Sequence, residues 1–193
     1  MKTLPYLSAL ALLSTSLLAN PYTTPQEEYD SIVKTGNEVA TSLIQTLGKN
    51  LKQHLQREGP LGAAKFCSAK AFPLTDNVST KYGKDISVKR ISLNERNPAN
   101  AAQGSEKAIL EALQQLQNNH VILPQYVVER VDSATAKYYK PLRINKGVCL
   151  KCHGDITNNT KLANFIKSSY PNDKATGYKM GDLRGAIVVT ITK

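Results

Sequence analysis

The sequence is short of the residues that most protein chemistry draws on. In 193 residues there are three cysteines, three histidines, two methionines and no tryptophan. Acidic residues are scarce as well, 15 against 25 lysines and arginines, which leaves a formal charge of +10. Such an excess raises the question of nucleic acid, but the basic residues are scattered and no aromatic side chains interleave with them, so a nucleic-acid interface is set aside. No internal repeat and no low-complexity segment occurs. A peroxidase-like enzyme would need an open distal side carrying an acid/base group, and the sequence offers no convincing distal histidine for one. No catalytic residue is assigned.

Long apolar runs are also missing, except at the start. Leu4 to Leu18 is uncharged, preceded only by Lys2 and followed by the small residue Ala19. This run is too short and too weakly flanked for a membrane span and reads as a secretory signal peptide over residues 1–19. The protein is then exported to the periplasm; the alternative is an uncleaved N-terminus that anchors it to the membrane from the periplasmic side. No cysteine follows the run, so no lipid attachment point is present. Removing 19 of the 193 residues leaves 174, enough for one domain with a core, residues 20–193. Its charge is +9, because Lys2 leaves with the signal and no acid does. A basic surface suits an acidic redox partner or an anionic membrane face, or it serves solubility and propionate pairing.

Against this scarcity, two of the three cysteines and one of the three histidines fall together in Cys149-Leu150-Lys151-Cys152-His153-Gly154. In Cys-x-x-Cys-His the two thiols add across the haem vinyl groups, and the adjacent imidazole is held close to the iron as its proximal ligand. The reading is one covalently attached haem c, bound by Cys149, Cys152 and His153. Export supports it: outside the cytoplasm an uncaptured Cys149/Cys152 pair is at risk of forming a disulfide.

The rest of the domain reads as an α+β arrangement. Thr24-Pro25-Gln26-Glu27 is a capping box that opens a long amphipathic helix, and Gly59-Pro60 stops it. Residues 20–59 thus form a long N-terminal segment, suited to packing along a sheet or to pairing two copies as a homodimer. His54 within it is expected to face solvent. A second helical stretch runs from Leu61 to about Tyr82, with a kink expected at Pro73. Ala63, Cys67 and Ala71 stand four apart on one face of it, so the helix can approach a flat cofactor with a sulfur at the centre of the contact. Cys67 is either an iron ligand or a small buried hydrophobe.

Ile86 to Leu93 alternates like a half-buried strand and runs into a turn-rich loop ending at Asn100. Arg90 and Arg96 are candidates for pairing with haem propionates, since guanidinium forks match carboxylates. A helix from Gly104 to Asn118 follows; His120, beyond its polar end, ranks low as a ligand. Tyr126–Val131 and Thr135–Leu142 form a hairpin, residues 158–169 a short helix, and Gly185–Ile191 an apolar strand suited to the centre of a sheet. The expected sheet is antiparallel, of four or five strands, with helices on one side. Met180 is a rival sixth ligand, since His/Met pairs are usual in electron-transfer cytochromes c. A zinc site of Cys67, Cys149, Cys152 and His153 is the remaining alternative.

Five blocks occur in order: Cys67 in an alanine-rich helix; Arg90-x-Ser92-Leu93-x-x-Arg96-Asn97-Pro98-x-Asn100; Tyr139-x-Pro141-Leu142; the Cys149 to Gly154 motif; and Tyr170-Pro171-x-Asp173-x-Ala175-x-Gly177-Tyr178-x-x-Gly181-Asp182-x-x-Gly185-Ala186. Together they resemble the family of exported single-haem c-type proteins with a PAS-like fold, which also occurs as sensor-kinase ectodomains. The resemblance implies a PAS-like sheet cradling the haem, with Cys67 as distal ligand opposite His153. It departs at Ala101-Ala102-Gln103-Gly104, where members commonly carry a proline and an acidic or aromatic pair. Two functions follow. In one, exchange of the Cys67 ligand on reduction makes a redox or gas sensor that admits a diatomic gas and signals to a partner protein. In the other, a permanently six-coordinate haem serves electron transfer as a small cytochrome c.

Overall fold

The computed structural model describes residues 24–193, so the signal-peptide reading of residues 1–19 lies outside it. The chain opens with α1, Pro25–Lys81, started by the expected capping box: the Thr24 side chain accepts from the Glu27 N–H, and the Glu27 carboxylate accepts from the Thr24 N–H. One residue divides α1 into two arms. Gly59 takes φ 68° and ψ −172°, a conformation that glycine alone adopts at low cost. Pro73 makes no such break, contrary to expectation, and the backbone on either side of it stays helical. The carbonyl that Pro73 leaves without a helical donor is that of Ala69, an exposed residue, so solvent can serve it.

β1 (Ile86–Ile91) leads through a short 3-10 turn, Pro98–Asn100, to α2 (Ser105–Asn118). β2 (Val127–Arg130) and β3 (Thr135–Arg143) form the hairpin, α3 (Gly147–His153) carries the cysteine motif, and α4 (Thr160–Ser169) precedes β4 (Leu183–Thr192). The four strands make one antiparallel sheet in the order β1-β4-β3-β2. The apolar run in β4 therefore lies inside the sheet.

Helices cover both faces of that sheet rather than the one expected. Ile187 and Val189 of β4, with Val88 and Tyr138, meet Val39, Ala40, Leu43 and Val78 of α1. Ala186 and Val188, with Ile91 and Tyr139, meet Leu110 and Leu113 of α2. The physical reason lies in β4 itself, which is apolar at successive positions and so exposes no polar face to water. The apolar stripe of α1 from Ile32 to Leu43 is spent on the chain's own sheet. No helix among the described residues is long and apolar enough to cross a membrane.

The contact of α1 with the sheet is close enough to require glycine at one place. A Cβ on Gly36 would lie 2.2 Å from Cγ of Tyr138, which is itself fully buried. We expect Gly36→Val to destabilise the protein by about 1–3 kcal/mol, the usual cost of overpacking a core. Gly48→Ala, where nothing lies within 4 Å, should instead add up to about 1 kcal/mol of stability through helix propensity. Urea unfolding of the two variants checks both signs.

Candidate functional site

Beyond the point where the first arm of α1 leaves the sheet, the two arms diverge and enclose a cavity of about 1010 Å³. That is at the upper end of the range that small-molecule and cofactor sites occupy, roughly 300–1,000 Å³. One wall carries Leu47, Leu51 and Leu55 of the first arm, another carries Ala63, Cys67 and Ala71 of the second, and Leu142, Phe165 and Ile166 close the far side. The spacing of four that put Ala63, Cys67 and Ala71 on one helical face does line them along one surface.

The motif lies on a helix that sequence reading did not anticipate. Within α3, Cys149, Cys152 and His153 are three and four residues apart, so a single turn presents both thiols and the imidazole to the same cavity. All three cysteines are free thiols. Burial raises the Cys67 thiol above its ordinary pKa, with Cys152 adding to the rise and the Arg90 and Arg96 charges opposing it. Burial likewise raises Cys152, against the pull of Arg96.

His153 has a defined tautomer. Its Nδ1 lies 2.7 Å from the carbonyl oxygen of Ala175. A carbonyl can only accept, so the proton sits on Nδ1 and the Nε2 lone pair is free. Burial, reinforced by the charges of Arg184 and Arg96, pushes the imidazole pKa down to about 3. The ring is therefore neutral, the form in which imidazole binds metals.

The Ala175 carbonyl is itself held in place. Arg96 Nε and Nη2 donate to the two Asp173 oxygens at 3.1 and 3.2 Å, and Nη2 also reaches the carbonyls of Cys152 at 2.8 Å and Ala175 at 3.3 Å. The Ala175 N–H returns to Asp173 at 3.0 Å, while the Gly177 and Tyr178 N–H groups donate to the carbonyls of Gly154 and His153. Arg96, expected to meet a carboxylate of the cofactor, already holds a carboxylate of the chain and braces α3. Arg90 projects from the α1 face of β1 into the cavity, its guanidinium 5.9 Å from the centre of the Phe72 ring.

Other sequence candidates fall outside. Met180 is about half exposed, at 54 %, and does not line the cavity. His54 does not face solvent freely: it stacks on Phe66 at 4.0 Å across the Gly59 break and pairs with Glu58 at 2.8 Å. His120 is exposed. Among the described residues no group of three or more His, Cys, Asp or Glu is gathered to hold a metal ion, which removes the zinc alternative its ligand set. Sequence reading missed Arg184, which lines the cavity, donates to Ser92 Oγ at 2.6 Å and is the main charge acting on His153. The available signal was a lone arginine in the otherwise apolar run of the last strand. Among the described residues no aspartate or glutamate lines the cavity, whereas Lys49, Lys52, Arg90, Arg96, Arg143, Lys146 and Arg184 do. A pocket that is apolar within and cationic in balance fits a flat apolar group carrying two carboxylates.

The family of Tll0287-like proteins matches residues 20–192 of the chain. Among solved structures the chain is similar to the crystal structure of the cyanobacterial heme-protein Tll0287, at 26% identity and a TM-score of 0.58, over 91% of this chain and 98% of that one. A search of curated proteins returns no match.

Two outcomes test this geometry. With side-chain exposures of 14% and 8%, the Arg96–Asp173 pair is largely withdrawn from water, so Arg96→Met should cost about 3–5 kcal/mol in urea unfolding. Adding Asp173→Asn should recover part of that loss. The cofactor-free protein should lose stability as pH falls from the ordinary imidazole value of 6.5 towards about 3. Over that window the unfolded chain takes up a proton that folded His153 refuses, and His153→Asn should remove this component of the acid sensitivity.

Proposed function

The chain belongs to the Tll0287-like family, and from that membership we propose that it is a periplasmic haem c protein acting as a redox or gas sensor domain. The observation that carries the proposal is the state of His153: neutral, its proton committed to the Ala175 carbonyl, its free nitrogen on the wall of a cavity shared with two free thiols one helical turn away. Cys149 and Cys152 would form the thioether links, His153 would be the proximal ligand and Cys67 the distal one, and the cationic lining, Arg90 within it, would balance the two propionates, with Arg96 bracing the motif instead. When bound, haem supplies a one-electron iron couple with two axial positions. The PAS-like description of the sheet, the export route and the unidentified signalling partner belong to the same proposal.

A feature of α1 favours sensing. Cys67 lies on the second arm, which the Gly59 break separates from the first. The break at Gly59 puts the sulfur on an arm whose direction is not set by the helical hydrogen bonds of the first, a hinge of the kind that switching transitions use. Electron transfer is the second reading, supported by the exposed Lys49, Lys52, Arg143 and Lys146 at the cavity, where they would steer an anionic partner.

Expressed with a haem-attachment system, the protein should retain haem through denaturing electrophoresis, and the Cys149→Ser/Cys152→Ser variant should lose it. Cys67→Ser should alter the ferric absorption spectrum with haem still attached; an unchanged spectrum rules out the thiolate. Rapid carbon monoxide binding after dithionite reduction supports sensing, and none at all supports electron transfer. Absence of any haem band would sink both.

A further inference from the structure

Arg184 is delivered by an irregularity in the sheet. Leu142 of β3 pairs with Gly185 and Arg143 with Leu183, so Arg184 is an extra residue, a β-bulge in β4. Strict alternation from Val188 and Ala186 would place residue 184 on the α2 face; Leu183 takes that place, and Arg184 is turned to the cavity. Gly185 follows at φ 151°, and a Cβ on it would collide with the Ile91 carbonyl oxygen, so the bulge needs glycine there. Ser92, itself buried, fastens both the backbone and the side chain of the bulged residue: its hydroxyl donates to the Arg184 carbonyl at 2.9 Å and accepts from Nη1 at 2.6 Å. Bulges re-aim side chains beside functional sites.

The side chain so aimed stands behind His153. Its guanidinium lies 5.4 Å from the centre of the Tyr178 ring, and that ring stands nearly perpendicular, at 86°, to the imidazole, with centroids 6.3 Å apart. Tyr178 is also fixed through its backbone, whose N–H donates to the His153 carbonyl at 2.9 Å. The Arg184 Nη1 donates as well to the Asn94 carbonyl at 3.1 Å, while the neighbouring acids, Asp173 and Glu95, are engaged by Arg96 and Lys174. Among the described residues, then, the charge is held in place without an ion-pair partner.

We propose that Arg184, aimed by the bulge and seated on Tyr178, is a positioning residue that sets the reduction potential of the cofactor from behind His153. This deepens the assignment of His153 as proximal ligand and rests on it. A fixed cation whose Nε is buried favours the iron state of lower positive charge, so Arg184 raises the potential. The Tyr178 ring holds that charge at a set distance from the imidazole, and the effect depends on the ring being there.

The test is a potentiometric titration of the haem-loaded protein with dithionite, between about pH 5 and 8. Arg184→Gln, which keeps a donor for Ser92, and Arg184→Met should each shift the equilibrium about tenfold towards ferric iron, a midpoint about 59 mV lower, with the absorption spectra of both oxidation states unchanged. Arg184→Lys should recover most of that shift. In a Tyr178→Leu background Arg184→Gln should have a clearly smaller effect, the non-additivity expected of residues in contact. An unchanged potential in both neutral variants, an equal fall in Arg184→Lys, or full additivity with Tyr178→Leu overturns the proposal. So does a potential that becomes pH-dependent once Arg184 is neutralised, or failure of both neutral variants to hold haem, either of which would make Arg184 a propionate clamp. Failure of the underlying assignment shows separately, as a ferrous spectrum that His153→Asn leaves unchanged in the parent protein.

Discussion

The site depends on one hydrogen bond, from His153 Nδ1 to the Ala175 carbonyl. It fixes which nitrogen of the ring is free, and a ring held this way is both oriented and more basic as a ligand than one left to rotate. The bond is dependable because neither end is isolated. Its acceptor sits in the segment 173–178, which is tied to α3 by backbone bonds from Gly177 and Tyr178 and by the shared guanidinium of Arg96. The Arg96 to Asp173 pair is buried, and a buried ion pair is weak evidence for stability but good evidence for a fixed geometry. Here the geometry it fixes is that of the imidazole.

That brace explains how a seven-residue helix can carry a cofactor site. α3 has only half-buried residues on its inner side and no side-chain cap at its N-terminus, so helix propensity contributes little to its stability. Its position is set from outside, by Arg96 on one side and by the loop before β4 on the other. The site is built at the margin of the two-faced sheet, where β3 ends and α1 parts at Gly59 into two arms.

Much of this was legible in the sequence. The capping box at Thr24, the punctuation at Gly59-Pro60, the hairpin around Asp132 and the apolar run of the last strand each carry a local physical signal, and each element appears within a few residues of its expected place. The same apolar run was misjudged in one respect: unbroken apolarity means burial on both faces, which calls for helices on both, and α2 supplies the second cover. The kink expected at Pro73 failed because a proline on an exposed helical face has solvent to serve the carbonyl it leaves without a donor. The roles of Arg96 and Arg184 were not legible. A guanidinium that pairs with a residue 77 positions away leaves no trace in local periodicity, and only the folded chain shows that Arg96 serves the protein's own carboxylate.

The walls of the cavity come from opposite ends of the sequence. α1 contributes two of them, and the segment from Leu142 to Arg184, joined by Arg90, Arg96, Asn97 and Asn100, contributes the others. The hydrophobic clusters of the sheet join these halves on one side, and on the other a smaller cluster packs Ala64 of the second arm against Leu162 and Ile166 of α4. On the proposed ligation, a cofactor linked covalently to α3 and coordinated by Cys67 closes a long loop of chain on the other side. Closing such a loop removes entropy from the unfolded ensemble in the way a disulfide does, and the gain grows with loop length. The cofactor would then act as a cross-link as well as a redox group, and release of its sulfur ligand would loosen the connection between the two halves of the molecule as well as open a coordination position.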